Sequence, residues 1–302
     1  TITFMIKNPK RKNKQAEIKY HDIGDYLNRE EKLNIIKTFN SVDNPKMKWN
    51  KINPNEYGDW LTQRSDIFET LVPLAPKKKF HLQNQSFFVT NGPGVVTGRD
   101  SWVYNFCRNK MRCNVESMID FYNLELNKAL NFTNLGTKKI SDIVNADPTK
   151  ISWTRALRTK VNNQLKLTFA AEDISTTLYR PFSKTHSYSS RDLLESPGIS
   201  NRFFPSSNLN NEVICVSGLG GNKDYSVLMS VNTVDFNCLE AGAQCFPLYY
   251  YDENKRENPS LFDDPNDEGY VRRDGITDFI LKRAIEQYGR NVTKEDIFYY
   301  VY

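Results

Sequence analysis

Basic side chains are concentrated in a few short stretches of this chain, and their chemistry suits the binding of anions. Segment 150–166 contains five lysines and arginines and no acid, whereas segment 252–268 contains seven acids. Such segregation can form a basic surface for phosphate groups, although each run alone is equally consistent with a solvated loop. The candidate residues for such contacts are Lys77, Lys78 and Lys79; Arg99; Arg155, Arg158 and Lys160; and Lys184, His186, Tyr188 and Arg191.

The neighbouring residues suggest different roles for segment 184–191, for Arg99 and for a further arginine, Arg180. Segment 184–191 combines basic and aromatic side chains, and we expect it to be a polar loop that can contact bases or their backbone. Arg99 lies in a turn, where pairing with Asp100 or another acid explains it equally well. Arg180 precedes Pro181 and Phe182, a combination more typical of a packed corner than of a binding site.

The motifs of common catalytic sites are absent from the sequence. It contains no GxxxxGK[ST] phosphate loop and no GxSxG nucleophile motif, and Gly218–Gly221 reads as a hairpin turn without GxGxxG spacing. Glu17 and Lys19 have the ExK spacing of metal-dependent nucleases, but the preceding Asp of such sites is missing. The three histidines are too dispersed for a metal site. We therefore expect no catalytic residue, cofactor or metal in this chain.

Length and composition indicate a globular chain of about two modules. Of its 302 residues, 39% are hydrophobic and 25% are charged, which excludes a disordered chain, and no apolar run approaches the ~20 residues of a membrane helix. Five cysteines without CxxC spacing favour a reducing cytoplasm over a disulfide framework. The first residues of the sequence include neither an initiator Met nor a secretory leader, and a helix is predicted to begin only a few residues before the last residue. We therefore expect a piece of a longer protein.

Turn signals and hydrophobic periodicity predict a mixed α/β (α+β) fold with hairpins and amphipathic helices. Segments 2–6 and 16–21 read as a hairpin with a long basic tip, and the Asn28 capping box opens a short helix before a loop over 40–56. The elements predicted further along are a strand at 102–106, a helix at 114–130, a hairpin of strands 213–216 and 225–229, a strand at 244–251, a helix over 276–289 and another from Thr293.

Ten blocks of sequence, in order along nearly the whole chain, resemble the type ISP restriction-modification enzymes. The blocks are Thr3–Pro9, Ile18–Leu27, Arg29–Leu33, Gly58–Arg64, Thr97–Asn105, Ser152–Arg155, Tyr179–Phe182, Phe204–Pro205, Gln244–Tyr249 and Thr293–Tyr302. Members of this family are large bacterial proteins that combine nuclease, helicase, adenine-specific methyltransferase and target-recognition parts. No single block is decisive, but their order is fairly specific.

The resemblance implies a division of labour between this chain and the rest of a parent enzyme. It implies that residues 1–25 are the last strands of a methyltransferase-like domain, 26–86 a connecting segment, 87–251 the target-recognition domain, and 252–302 an acidic loop with a C-terminal helical segment. The family's (N/D)PP(Y/F) and FxGxG-type motifs are absent. S-adenosylmethionine is therefore implied for the parent and not for this chain.

The resemblance further implies that this chain binds double-stranded DNA and selects the site that the parent methylates. A methyltransferase that extrudes its target base needs a module that grips the flanking duplex. Two alternatives stay open. The chain could mainly couple the upstream methyltransferase to the helicase and nuclease parts, or it could be a nuclease or methyltransferase fragment with residual activity.

Overall fold

The computed structural model describes residues 3–6, 16–61, 63, 65, 67–76, 85–131, 139–196, 200–206, 209–222, 224–253 and 269–302. The chain divides into two compact units, Thr1–Leu71 and Val72–Tyr302. Both units contain helices and strands, which confirms the predicted mixed α+β class. Among the described helices, none is long and apolar enough to cross a membrane.

In the first unit, two short strands form an antiparallel pair that the sequence did not predict. The elements are β1 (Ile18–Tyr20), α1 (Arg29–Phe39), β2 (Asn50–Ile52) and α2 (Ile67–Thr70). β1 pairs with β2, and residues 3–6 are not in a strand. The His21 ring lies 5.1 Å from Phe39 and 6.1 Å from Trp49, measured between centroids. The hairpin predicted from segments 2–6 and 16–21 is therefore wrong. The segment after α1 packs against the end of β1, and β2 in that segment becomes the partner of β1.

The start of α1 follows the predicted capping box. Asn28 Oδ1 accepts a hydrogen bond from the backbone N–H of Glu31 at 3.0 Å, and Glu31 Oε2 accepts one from the backbone N–H of Asn28 at 2.8 Å. These bonds satisfy N–H groups that a helix start leaves unpaired. The helix nevertheless buries none of its residues.

The second unit contains the remaining described elements. Its strands are β3 (Gly92–Pro93), β4 (Tyr104–Asn105), β5 (Ile174–Arg180), β6 (Ser183–Tyr188), β7 (Val213–Val216), β8 (Val227–Ser230), β9 (Thr233–Val234), β10 (Gln244–Pro247), β11 (Tyr249–Glu253) and β12 (Tyr270–Asp274). Its α-helices are α3 (Asp100–Val103), α4 (Arg108–Leu130), α5 (Arg155–Asn162), α6 (Asp278–Tyr288) and α7 (Lys294–Val301). Single 3₁₀ turns occur at Ile140–Asp142, Ala171–Asp173 and Ser200–Arg202.

The long helix α4 packs against a four-stranded sheet of order β4-β6-β5-β9. β6 is antiparallel to β4 and β5, whereas β9 is parallel to β5. The fully buried side chains of α4 recur at helical spacing and are Met111, Val115, Met118, Tyr122 and Leu126. The predicted amphipathic helix is therefore confirmed, although it begins earlier than expected, at Arg108.

Residues 102–106, predicted as one strand, are divided between α3 and β4. Only Tyr104 and Asn105 pair with β6. The Tyr104 hydroxyl donates a hydrogen bond to the buried carboxylate of Asp235 at 3.0 Å, a contact across 131 positions of sequence. The strand is therefore shorter than the local pattern predicts, because Trp102 and Val103 belong to α3.

A second four-stranded sheet has the order β3-β10-β7-β8. β7 and β8 form the predicted antiparallel hairpin. The predicted strand over 244–251 is two strands, because β10 pairs with β7 whereas β11 pairs with β12. The change of sheet occurs at Leu248, whose N–H donates to the carbonyl of Glu212 at 2.8 Å and whose carbonyl accepts from the N–H of Gly275 at 2.7 Å.

Helices α6 and α7 pack on this second sheet through a buried apolar cluster. Its members include Phe88, Phe246, Ile280, Ile297 and Phe298. As predicted, α6 ends at Gly289, which has a φ of 101°, and α7 opens with a capping box between Thr293 and Asp296. Both helix boundaries follow from local sequence.

Candidate nucleic-acid interface

Arg99 is buried in a turn that contacts the start of α5. Its side chain is 2% exposed, and its Nη2 donates to Thr154 Oγ1 at 2.6 Å. Its Nε and Nη1 have no hydrogen-bond partner among the described residues. Burial lowers the pKa of Arg99 to about 10, and the nearby Glu195 carboxylate opposes this shift. Arg99 therefore joins the turn to α5 and does not present its guanidinium to solvent.

The acid beside Arg99 comes from a distant part of the chain. Asp100, the neighbour considered as its partner, accepts a hydrogen bond from Thr97 Oγ1 within the turn. Glu195 Oε2 accepts a hydrogen bond from the N–H of Ala156 at 3.1 Å, in the first turn of α5. Glu195 thus caps α5 and at the same time supplies the negative charge next to Arg99.

Helix α5 presents two exposed arginines. Both Arg155 and Arg158 are exposed, and Arg158 Nη1 donates to the carbonyl of Ser141 at 3.0 Å. Lys160 is half-buried and forms an ion pair with Asp192, with 2.7 Å between Nζ and Oδ1. The outer face of α5 therefore offers Arg155 and most of the Arg158 guanidinium to an anion, whereas the charge of Lys160 is partly neutralised.

Lys184, His186 and Tyr188 lie on strand β6, so the expectation of a loop over this segment is wrong. They alternate with Thr185 and Ser187 and share one face of the sheet, because side chains two positions apart in a strand point the same way. The backbone of this polar segment pairs with β5 on one side and β4 on the other. Pairing with both neighbours satisfies backbone groups that a loop would leave to solvent.

Exposure falls along β6 from Lys184 to Tyr188. Lys184 is exposed and His186 is half-buried, whereas Tyr188 is 1% exposed. The Tyr188 ring stacks on Phe169 with 5.3 Å between centroids, and its hydroxyl oxygen accepts from the N–H of Ala170 at 2.9 Å. Tyr188 is thus a core residue in this structure, whereas Lys184 is open to solvent.

His186 and Arg191 line one groove of about 1130 Å³ in the second unit. Its wall also includes the amide side chains of Asn201, Asn210 and Asn232 and the acids Glu172, Asp173, Glu212 and Glu253. Arg191 is ion-paired with Glu253 at 3.0 Å. Amide and imidazole groups can donate to and accept from base edges, whereas the acids oppose phosphate. The groove therefore suits polar contacts with bases better than a phosphate backbone.

The structure brings some of the predicted residues together and separates others. The pair between Lys160 and Asp192 places the end of α5 beside the segment that carries Arg191. Arg99 and Tyr188 are buried away from this surface. Lys77, Lys78 and Lys79 lie outside the described residues. The assignment of these side chains as DNA-binding residues stays a prediction.

Arg180 is structural, as the sequence indicates. Its Nη1 donates to Asp235 Oδ1 at 2.7 Å, and its guanidinium lies over the ring of Tyr179 at 3.8 Å. Asp235 is 2% exposed and also accepts the hydroxyl of Tyr104 at 3.0 Å. Burial raises the pKa of Asp235 and, together with the Asp235 charge, that of Tyr104. This network joins β4, β5 and the end of β9.

Two exposed aromatic residues were missed from the sequence. Phe182, expected in a packed corner, is 90% exposed between β5 and β6, and Phe106, just after β4, is 74% exposed. The only signal for Phe182 in the sequence was its place after Pro181, which favours a turn.

The described residues also hold no metal site. Within them, no group of three or more histidines, cysteines, aspartates or glutamates is arranged to hold a metal ion. Cys215, Cys238 and Cys245 are buried free thiols, and Cys215 lies directly opposite Cys245 in the pairing of β7 with β10.

Comparison with known proteins defines the class of this chain. Residues 86–302 match the family model described as the type ISP C-terminal specificity domain. The match covers most of the chain, and it describes a specificity domain and not a catalytic one. The chain therefore belongs to the type ISP restriction-modification family, as its sequence blocks indicated. No curated protein matches it.

Three solved structures of DNA complexes are similar to the chain. A nuclease-deletion mutant of the type ISP enzyme LlaGI, with a DNA substrate mimic, has 33% identity over 88% of this chain, with a TM-score of 0.69. The ATP-dependent type ISP enzyme LlaBIII, bound to DNA, has 31% identity over 95%, with a TM-score of 0.71. A DrdV–DNA complex has 26% identity over 95%, with a TM-score of 0.72. The chain spans 23%, 17% and 26% of these proteins respectively.

Proposed function

We propose that this chain recognises the DNA target of a type ISP restriction-modification enzyme. The observation that carries the proposal is the match of residues 86–302 to the specificity domain of this family. Three similar structures, each a DNA complex, support it. Recognition by such a domain is non-covalent, so the chain needs no catalytic residue of its own for this role.

The two kinds of polar surface suit the two kinds of contact that recognition requires. Cations hold phosphates and set the position of a protein on the duplex, whereas hydrogen bonds to base edges carry sequence information. The exposed Arg155 and Arg158 of α5 fit the first role. The groove lined by His186 and by amide side chains fits the second. Lys160 and Asp192 connect the two surfaces.

For the whole enzyme we propose adenine-specific DNA methylation that depends on S-adenosylmethionine, in the bacterial cytoplasm. The support is the family membership together with the small share of the related proteins that this chain spans. The residues present do not fit the cofactor, because the (N/D)PP(Y/F) and FxGxG-type motifs are absent from the sequence. The methyl-donor and target-base sites would then belong to the upstream part, which methylates where this chain directs it.

A second role, coupling to other parts of the same parent chain, is favoured by the first unit. α1 buries none of its residues, and Leu33 and Ile36 on it are 55% and 42% exposed. Apolar side chains at this spacing on a helix form a face that another surface can cover. Tight binding to the isolated upstream methyltransferase part without DNA is expected for such a surface. Metal-dependent cleavage or S-adenosylmethionine binding by this chain would instead favour an enzymatic fragment.

The proposed function is tested by fluorescence anisotropy of labelled random-sequence duplex DNA over a salt series. We expect log Kd to rise linearly with log salt, with a slope of about 0.9 for each phosphate contact. Circular dichroism establishes that the chain is folded. A folded chain that does not bind, or whose binding ignores salt, contradicts DNA recognition and favours the coupling role.

A further inference from the structure

The connection between β5 and β6 is a tight turn with an unusual residue in it. Pro181 and Phe182 join the two strands, and Phe182 has a φ of 60°. Turns that place a residue with positive φ after proline normally use Gly or Asn there, because a Cβ and a bulky ring are unfavourable in this conformation. The ring of Phe182 is also 90% exposed. Neither backbone geometry nor core packing explains a phenylalanine at this position.

The turn is held rigidly, so the exposure of Phe182 is a property of the fold. Arg180 and Ser183 are paired at the end of the hairpin. The Arg180 guanidinium is fixed between the ring of Tyr179, at 3.8 Å, and the buried carboxylate of Asp235, at 2.7 Å. Strained residues that a rigid surrounding structure maintains are concentrated at functional sites.

A second exposed aromatic residue and an exposed lysine lie on the strands that lead to this turn. Asn105 pairs with His186, so Phe106 continues β4 toward the turn between β5 and β6. Phe106 is 74% exposed. Lys184, two residues after Phe182, is exposed as well. This end of the sheet therefore combines aromatic rings with positive charge.

We propose that the turn carrying Phe182 is a DNA-contacting tip, at which the phenyl ring stacks on a base at an opened or kinked step of the duplex. Lys184, two residues after the ring, contacts a neighbouring phosphate. Exposed apolar side chains on DNA-binding proteins insert at base steps in this way, and aromatic rings stack on any base. The inference rests on the proposed function, because it assumes that the bound polymer is DNA.

The test compares variants of the full chain in the anisotropy assay with random-sequence duplex. Phe182→Asn and Phe182→Gly remove the ring and suit the positive φ, so both are expected to fold and to melt no lower than the wild type. Phe182→Tyr retains a ring. Leu219→Asn is the matched control, because Leu219 is fully exposed in the turn of the β7–β8 hairpin.

We expect Phe182→Asn and Phe182→Gly to bind about 5-fold to 150-fold more weakly, which corresponds to the loss of about 1–3 kcal/mol for one stacked base. The salt slope should not change, because no charge is removed. Phe182→Tyr and Leu219→Asn should bind like the wild type. Wild-type affinity of both ring-free variants overturns the stacking contact and leaves DNA recognition intact. Failure of the wild-type chain to bind DNA overturns both proposals.

Discussion

Replacing Arg155 and Arg158 by alanine is expected to reduce the salt dependence of DNA binding. These are the exposed arginines of α5, and among the described residues only one nitrogen of Arg158 is engaged, with the carbonyl of Ser141. A cation that contacts a phosphate releases counterions from the DNA, and alanine at that position no longer does so. Lys160 is expected to contribute less, because its side chain is 22% exposed and is paired with Asp192.

The size of the effect follows from the number of contacts that are lost. One phosphate contact contributes about 0.9 to the slope of log Kd against log salt. Between roughly 50 and 200 mM salt, a fourfold change, one contact therefore accounts for about a 3.5-fold change in Kd. The single variants should each reduce the slope by about 0.9, and the double variant by about 1.8. Lys160→Ala should change the slope by less than either.

The assay is the anisotropy titration at several salt concentrations, with Lys282→Ala as the matched control. Lys282 is an exposed cation on α6, so this variant makes the same change in net charge as each single α5 variant, at another site. The control should keep the wild-type slope. Equal slopes for the wild type, the α5 double variant and the control would refute the assignment of α5 to phosphate binding. An equal reduction in all variants would indicate an effect of net charge alone.

Three further predictions concern stability and its dependence on pH. Gly98→Ala should lower the free energy of unfolding by about 1–3 kcal/mol in denaturant titration, since φ is 65° and the new Cβ would lie 2.9 Å from Thr154 Cγ2. Tyr188→Phe should cost about 1–3 kcal/mol, because the N–H of Ala170 loses its acceptor, with no change in the DNA salt slope. Burial by itself raises the pKa of the Glu125 carboxyl. The hydrogen bonds that the carboxylate accepts from Lys128 and Asn145 outweigh this effect, so the net pKa lies below its ordinary value of 4.5. A depressed pKa contributes stability that is present above about pH 4.5 and is lost as the pH falls through the folded-state pKa. The melting temperature of Glu125→Gln should therefore fall less than that of the wild type between pH 7 and 3.

Controls separate the causes in these three cases. Gly220 has a φ of 87° with no atom within 4 Å of a new Cβ, so Gly220→Ala measures the backbone cost without the steric contact and should destabilise less than Gly98→Ala. A weaker DNA affinity of Tyr188→Phe without any loss of stability would contradict the assignment of Tyr188 to the core. The same pH profile in Glu125→Gln as in the wild type would show that the bonds of Glu125 to Lys128 and Asn145 do not stabilise the fold.

Helix starts, one hairpin and the family of the chain could be predicted from the sequence, because each depends on short stretches of neighbouring residues. The capping boxes at Asn28 and Thr293 and the apolar repeat of α4 depend on residues within one or two turns of helix, so helix starts and faces could be derived without the fold. The β7–β8 hairpin likewise follows from its own turn and flanking residues. Family membership, too, was visible in the order of conspicuous short blocks.

The pairing of strands that are distant in sequence and the burial of several individual side chains were decided by tertiary structure alone. β1 pairs with a segment that was expected to be a loop, and the first residues of the strand predicted over 102–106 belong to helix α3 instead. Arg99 and Tyr188, both candidates for DNA contact, are buried, whereas Phe182, expected to be packed, is exposed. The physical reason is the same in each case. The free energy of a side chain depends on neighbours brought close by distant parts of the chain, and no local pattern of residues records which neighbours these will be.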